Sequence, residues 1–330
     1  MRVVLPVLAG GLLLSLLVWP QLQKKSDFFS DGLKDSVSPE LSKATIDMQK
    51  VQFYSEDEKG QPFTITSDKI LEIDPKQRLV QLDLPDGEMT LNSGVKIFSK
   101  APFAWFYQET DIVFFKDKVY LETDNGYVAD SSAVIVDYKN QKAYSDKDIA
   151  IRGLKADLDA TGFYMRQNGQ EIDFKGPAKA VLKQEPRNQQ VVITADNGFE
   201  VRQKTQTITA FKNVLADDGQ NQVFSDEMTA YFRSLGGNRY ELKSIQAKSN
   251  VKIITPTETI TGNDVFYDLV KEKAFITGNV SVERNEGLMH GDRAVIDMKT
   301  GHSQLEVDYS KPRKSQQRVR GTIFPTKLKK

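Results

Sequence analysis

The sequence predicts an all-β fold of stacked units that follows one N-terminal transmembrane helix. Apolar and polar residues alternate through most of the chain, and turn residues interrupt the alternation, which is the pattern of half-buried strands. A short segment is also repeated, because Gly262–Asp268 aligns with Gly291–Asp297 without a gap. Repetition at this interval indicates β units that are each too small to bury their apolar face alone.

Weaker copies of the repeat begin at a small residue followed by an aspartate. These pairs are Ser67-Asp68, Ala129-Asp130, Ala195-Asp196 and Ser225-Asp226, with a partial copy at Ala160–Phe163. One such pair is common where a turn enters a strand, but several copies near one spacing indicate a repeat. Because the aspartates recur once per unit, we interpret them as residues that cap turns and not as catalytic carboxylates. They are Asp68, Asp130, Asp196, Asp226 and Asp292.

The composition excludes several functional classes. The chain has 330 residues, of which 39% are hydrophobic, and this is enough for a folded core. Lys plus Arg equals Asp plus Glu at 45 each, so there is no global positive charge of the kind that recruits nucleic acid. Cysteine is absent, which excludes disulfides, thiolate metal sites and a cysteine nucleophile.

Residue patterns typical of catalysis are also missing. The two histidines, His290 and His302, have a spacing that matches no common metal-binding motif. The sequence contains neither the GxSxG nucleophile elbow nor the phosphate-binding GxxxxGK[ST] loop. We therefore predict that the protein is not an enzyme and that it has no catalytic residue, no metal site and no cofactor.

Residues 1–25 are predicted to form a membrane anchor. Val3–Trp19 is an uncharged apolar run near the lower length limit for a membrane-spanning helix. The residues after it offer no small-x-small cleavage pattern, and Trp19 is typical of a membrane interface. We therefore favour an uncleaved anchor over a cleaved signal peptide. Residues 26–42 are polar, and we interpret them as a tether.

The body is predicted to begin near residue 43 as a series of short strands. Ile46–Phe53 alternates as a first strand, and Pro85-Asp86-Gly87 separates later strands. The densest aromatic segment, Ala101–Tyr107, is interpreted as core filling beside a strand-edge proline.

The body is predicted to have two halves, residues 43–184 and 189–310. Lys183–Gln189, which lies between them, is polar, contains a proline and lacks alternation. Residues 311–330 carry eight basic residues and no acidic one, and they are predicted to form a flexible basic tail.

Several segments resemble two families of lipopolysaccharide-export proteins. In the first half, Phe63–Asp68, Leu84–Gly87 and Leu121–Tyr127 resemble the LptC family. In the second half, Ser225–Phe232 and Gly291–Asp297 resemble the OstA/LptA family of periplasmic bridge proteins. The two resemblances occur in tandem and together cover nearly the whole chain.

The resemblance implies a fold and a cellular location. LptC-like proteins are single-pass proteins of the inner membrane, with a β-jellyroll in the periplasm. We therefore expect two consecutive OstA-like β-jellyroll domains, each a twisted and open two-sheet structure, after the transmembrane helix. The first would be LptC-like and the second OstA/LptA-like, with both in the periplasm.

The resemblance also implies a function and partners. The chain would receive lipopolysaccharide from the inner-membrane ABC transporter and pass it along an apolar groove towards the outer membrane. The implied partners are lipopolysaccharide, the transporter subunits, and an LptA-like bridge protein or the outer-membrane translocon, with no nucleic acid. The alternative is a structural or adhesive periplasmic β-repeat protein that carries no lipid.

Apolar residues of both halves are the candidates for the lipid groove. They are Phe53, Ile65, Val113, Phe115, Leu121, Phe163, Phe174, Ile276, Val280 and Val282. The candidates for partner contacts lie in the predicted edge strands and are Ile46, Met48, Val295 and Ile296. About ten strands in each sheet, stacked about 4.8 Å apart, predict a groove of about 50 Å.

Overall fold

The structure is a computed structural model that describes most of the predicted body. The described residues are 47–56, 62–74, 78–91, 93–184, 189–236, 239–297, 299–300, 302–306 and 319–323. The predicted anchor, the tether and Ile46 lie outside these ranges. Within them, no helix has the length and apolar character needed to cross a membrane.

The described residues form 24 strands, and every pairing between them is antiparallel, so the all-β prediction is confirmed. The strands are β1 (Asp47–Glu56), β2 (Pro62–Asp74), β3 (Leu79–Asp83), β4 (Asp86–Thr90), β5 (Lys96–Lys100), β6 (Phe103–Tyr107), β7 (Ile112–Thr123), β8 (Val128–Asp137), β9 (Lys142–Ser145), β10 (Ile149–Arg152), β11 (Ala156–Ala160), β12 (Phe163–Arg166), β13 (Glu171–Lys175), β14 (Ala178–Gln184), β15 (Gln189–Ala195), β16 (Gly198–Arg202), β17 (Thr207–Asp217), β18 (Gln222–Gly236), β19 (Arg239–Ile254), β20 (Glu258–Asp268), β21 (Lys273–Arg284), β22 (Gly287–Asp297), β23 (Ser303–Glu306) and β24 (Arg320–Ile323).

The strands build two facing sheets that are joined along one side. We call sheet I the one that contains β4, β5, β10, β11, β14, β15 and β24, and sheet II the one that contains β3, β6, β9, β12, β13, β16 and β23. The long strands run through both sheets. For example, the first part of β7 pairs with β6 in sheet II, and its last part pairs with β5 in sheet I.

Each long strand changes sheet at a corner, where the backbone bends and the pairing register shifts. In β7 the corner is Asp117-Lys118, and in β19 it is Ser249-Asn250; all four residues have positive φ. Asn213 in β17 and Asn279 in β21 adopt the same conformation. Asparagine and aspartate tolerate this region better than most residues, which explains their recurrence at corners.

Two of the repeat aspartates, Asp196 and Asp226, make contacts at these corners, and for these two the interpretation as turn caps is corrected. Asn213 Nδ2 donates to Asp196 Oδ2 at 2.6 Å, and Asn250 Nδ2 donates to Asp226 Oδ2 at 2.7 Å, so each aspartate joins neighbouring corners. The small residue beside the aspartate permits close packing. A Cβ at Gly291, which precedes Asp292, would lie 2.7 Å from Cγ of Leu305.

A different set of aspartates caps the hairpin turns. Asp137, Asp268 and Asp297 end their strands and accept hydrogen bonds from backbone N–H groups of the following turn. Asp217 does the same for Gly219 at 2.7 Å and also accepts from Gln222 Nε2 at 2.8 Å. These bonds favour the ionised carboxylate, because a carboxylate accepts hydrogen bonds more strongly than a neutral acid.

Acidification is expected to destabilise the protein partly through Asp217. The side chain of Gln222 and the backbone N–H of Gly219 lower the pKa of Asp217 below its usual 3.8. Its stabilising effect is therefore fully present above the unfolded pKa and is lost as pH falls through the folded pKa. The melting temperature measured from about pH 6 to about pH 2 should fall less steeply for Asp217→Asn than for the original chain. Identical pH profiles would contradict this assignment.

The two predicted halves share one hydrogen-bonded ladder. In sheet II, β13 of the first half pairs with β16 of the second, and in sheet I, β14 pairs with β15. The segment predicted as a boundary connects β14 to β15, whose pairing extends to Gln184 opposite Gln189. Both sheets therefore continue from one half into the other.

The strands that form the C-terminal edge of the body differ from the prediction. Val295 and Ile296 lie in β22, where they pair with Gln304 and Ser303 of β23. The other part of β22 is covered by β24, which belongs to the segment predicted as a flexible tail. The C-terminal edge therefore lies one strand outward from the predicted residues, and residues 320–323 of the tail are an ordered strand.

The groove is also longer than predicted. Between β1 at one end and β23 or β24 at the other, each sheet has about seventeen strand segments in the described residues. At a spacing of about 4.8 Å this gives roughly 75 Å. The prediction was too short because it did not anticipate that so many strands are bent and contribute a segment to each sheet.

Candidate functional site

The space between the two sheets is the candidate functional site. All ten groove candidates are described, and each belongs to the buried core or packs against it. Ile65 and Phe115 of the first half and Ile276 and Val280 of the second are fully buried. The same alternation therefore places apolar side chains between the sheets along both halves.

An apolar cavity of about 120 Å³ opens in this interior near the junction of the halves. Leu121 and Ile151 line it from sheet I, and Phe163 and Phe174 line it from sheet II. Its lining contains no charged side chain. The cavity has room for about four water molecules.

The side of the interior opposite the corners is bridged between the sheets. The side chain of Asn168, in the turn that joins β12 to β13, donates to the carbonyl oxygen of Thr90 in β4 at 2.9 Å. In the same turn, Gly169 faces Leu91, and a Cβ at Gly169 would lie 3.3 Å from Cδ1 of Leu91. Because one partner belongs to each sheet, these contacts close the interior beside the cavity.

Aromatic rings fill the interior near β1. Phe53 packs edge-on against Phe106 with ring centroids 5.0 Å apart, and Phe63 stacks on Tyr138 with centroids 4.0 Å apart. Burial raises the pKa of the Tyr138 hydroxyl, although a hydrogen bond with the Ser99 hydroxyl partly opposes this effect. The hydroxyl is therefore neutral and is a polar group within an apolar region.

Sequence reasoning found part of this site and missed part of it. Phe106 of the dense aromatic segment is core, as expected, but Trp105 and Phe103 face outward and lie beneath the ammonium group of Lys116. Ile151 lines the cavity but was not singled out. The alternation of Ile149-Ala150-Ile151 is the signal that could have identified it, because both isoleucines line the cavity.

Charged residues hold the outer face of sheet II together where the halves meet. Arg166 pairs with Asp173 at 2.8 Å, and Asp173 also pairs with Arg202 at 2.6 Å across the β13–β16 junction. Arg202 contacts Glu200 as well, at 2.9 Å. These partly exposed ion pairs neutralise one another and stabilise the junction, although each exposed pair contributes little.

The apolar interior between the sheets excludes water. In the part of the chain that the structure describes, no group of three or more His, Asp or Glu side chains is arranged to hold a metal ion. His290 and His302 both lie at exposed positions. The arrangement is suited to holding an apolar chain between two sheets.

Comparisons with known proteins identify the two halves. Residues 10–183 match the family model described as lipopolysaccharide-assembly, LptC-related. Residues 192–302 match the model described as LptA/(LptD N-terminal domain) LPS transport protein. No curated protein sequence matches the chain.

A solved structure from Pseudomonas aeruginosa also matches. It is LptH, described as the LptA-homologous periplasmic component of the lipopolysaccharide transport device, with 13% sequence identity and a TM-score of 0.35. The match covers 43% of this chain and 100% of LptH. The family matches confirm the resemblance found in the sequence: the chain belongs to the LptC-related family of lipopolysaccharide-assembly proteins and carries an LptA/LptD N-terminal-like region in tandem.

Proposed function

We propose that this protein is a component of the lipopolysaccharide transport bridge. It receives lipopolysaccharide from the inner-membrane ABC transporter and passes it between its two sheets towards the outer membrane. Val3–Trp19 holds the protein in the inner membrane, and the body lies in the periplasm. The continuous apolar interior that runs through both family-matched halves carries this proposal.

The energetics of an acyl chain favour such an interior. Removing a methylene group from water is worth about 0.8 kcal/mol, so a chain of a dozen carbons gains on the order of 10 kcal/mol by entering. Sheltering the chain needs no reactive residue. Movement along the interior needs an even series of apolar contacts, which the alternating strands of both halves supply.

The two ends of the body are the surfaces for partners. β1 pairs only with β2 among the described strands, so its other side presents backbone donors and acceptors. We assign this edge, which includes Met48, to the inner-membrane transporter. β23 and β24 form the opposite edge. We assign it to an LptA-like bridge protein or the outer-membrane translocon, which would add strands to the sheets.

Ser303→Pro is expected to weaken delivery to the C-terminal partner. Asp297 N–H donates to His302 O at 2.8 Å, and the alternation of an antiparallel pair then directs the N–H of Ser303 away from β22. Proline removes that outward donor without breaking a β22–β23 bond. Leaving one partner carbonyl unpaired costs about 1–3 kcal/mol, so binding should weaken roughly 5- to 150-fold.

The measurement is transfer of labelled lipopolysaccharide from the transporter in proteoliposomes to a soluble partner or to outer-membrane vesicles. Ser303→Ala is the matched control, because it removes the same hydroxyl and keeps the N–H. The proline variant should still receive lipid but deliver less of it than the alanine variant. Equal delivery by both variants would rule out strand addition at this edge. Failure of the original chain to receive lipid would favour the structural or adhesive alternative.

A further inference from the structure

Tyr138 reaches from one sheet to the other through the middle of the interior. It is the first residue of the turn between β8 and β9, at the end of a sheet II segment. Its ring stacks on Phe63 of sheet I, with 13° between the ring planes, and its side chain is buried. A ring that is attached to a turn therefore joins the two sheets beside β2.

The hydroxyl of this tyrosine lies in a small polar niche of sheet I. Ser99 shares a hydrogen bond with it, and the Ser99 hydroxyl also donates to the carbonyl oxygen of Gly87 at 3.3 Å. A Cβ at Gly87 would overlap Oγ of Ser99 and would lie 3.3 Å from the Tyr138 hydroxyl. A side chain at this position would displace the Ser99 hydroxyl and press against the Tyr138 hydroxyl.

The closed point is next to the cavity. Ser99 of β5 pairs with Leu121 of β7, and Leu121 lines the cavity. Counting from the β1 edge of sheet I, Phe63 of β2 and Ser99 of β5 come before Leu121 of β7. An apolar chain that entered from the β1 edge would meet this ring before it reached the cavity.

We propose that Tyr138 is a gate for lipid, closed when its ring stacks on Phe63 and open when the ring turns out towards solvent. This inference rests on the proposed function and adds the point at which lipid entry is controlled. A tyrosine is suited to both positions, because its ring packs in an apolar interior and its hydroxyl can be hydrated at a surface. A phenylalanine has no hydroxyl, so its ring would not be stabilised by hydration in the open position.

Two variants that lose the same hydrogen bond distinguish a gate from a packing residue. Ser99→Ala leaves the tyrosine hydroxyl buried without its partner, which disfavours the closed state. Tyr138→Phe removes the hydroxyl itself, so the closed state keeps its ring packing and the open state loses hydration. With a photoreactive residue at Leu121, lipopolysaccharide crosslinking should rise at least several-fold in Ser99→Ala and fall several-fold in Tyr138→Phe. A residue that only packs would change crosslinking in the same direction in both.

A second measurement follows the ring without lipid. Tyr127 is buried to nearly the same extent as Tyr138, with residue exposures of 7% and 4%, and it serves as the internal control. Nitration of the full-length protein, quantified by mass spectrometry, should modify Tyr138 faster than Tyr127, and Ser99→Ala should accelerate only Tyr138. Equal protection of the two tyrosines in both proteins overturns the gate, whatever the lipid result.

The two measurements separate the gate from the proposed function. If Tyr138 is nitrated preferentially but no lipopolysaccharide crosslinks at Leu121 in any variant, the ring moves and the proposed function fails. If lipopolysaccharide crosslinks and both substitutions change it equally, the function stands and the gate is wrong.

Discussion

Gly198→Ala is expected to lower the free energy of unfolding by about 4 kcal/mol or more. Gly198 opens β16 with φ of +86°, and a Cβ there would overlap the carbonyl oxygen of Phe174 in β13. It would also lie 2.8 Å from the backbone nitrogen of Gly176. Backbone atoms cannot rotate away as a side chain can, so the β13–β16 pairing that joins the two halves in sheet II must shift.

Gly219→Ala is the matched control for this substitution. Gly219 has nearly the same φ, +85°, but a Cβ there would meet no atom within 4 Å. Its cost is that of the left-handed backbone alone, about 1–2 kcal/mol. Denaturant unfolding of both variants measures the difference. Equal losses of stability would show that β13 and β16 do not approach each other as closely as the structure indicates.

Leu121→Asp is expected to reduce retention of lipopolysaccharide by at least about a hundredfold. Leu121 lines the cavity between the sheets, and a carboxylate there would face the acyl chain with no counter-charge in the lining. Burying an unpaired charged group costs several kcal/mol, which exceeds what the chain gains from contact with one leucine. Lipid that co-purifies with the protein, quantified by mass spectrometry, measures the effect.

Tyr120→Asp is the control, because the neighbouring residue of a strand faces the opposite side of the sheet. Both variants should be compared at the same folded fraction, established by circular dichroism. We expect Tyr120→Asp to retain lipid nearly as well as the original chain. If both variants retained lipid equally, the acyl chain would not occupy the cavity.

The sequence predicted the strands and the repeat but not what the repeat does. A small residue followed by aspartate is the signature of a turn, and the bend at a sheet corner requires the same residues for the same backbone reason. Asp226 was therefore interpreted as a turn cap, whereas it bonds to Asn250 at the corner of the neighbouring strand. A turn cap and a sheet corner differ only in the residue to which the aspartate bonds.

The orientation of strands that are apolar on both faces could not be assigned from the sequence. In β7, Val113 and Phe115 face the interior, whereas Phe114 packs outward against Trp105 at 5.5 Å. All three residues are equally apolar, so alternation gives no signal. The bridge between Asn168 and Thr90 was equally hidden, because it joins residues that are far apart in the chain.

The contribution of β24 to the C-terminal edge was missed for a related reason. The strand β24 is short and lies within a basic segment, whose charge pattern indicates solvent exposure. It nevertheless pairs with Gly287–His290 of β22. The charges of a segment predict whether its side chains are exposed to solvent. They do not predict whether its backbone forms hydrogen bonds with a neighbouring strand.

We expect one lipid path to run between the sheets through both halves. Photoreactive residues placed at Phe174 in the first half and at Val282 in the second, in a cell envelope that is transporting lipopolysaccharide, test it most directly. Asp173 and Ser281, the adjacent outward residues, are the controls. We expect lipopolysaccharide adducts at both inward positions and none at the outward ones. Adducts in only one half, or equal adducts at inward and outward positions, would rule out a single path between the sheets.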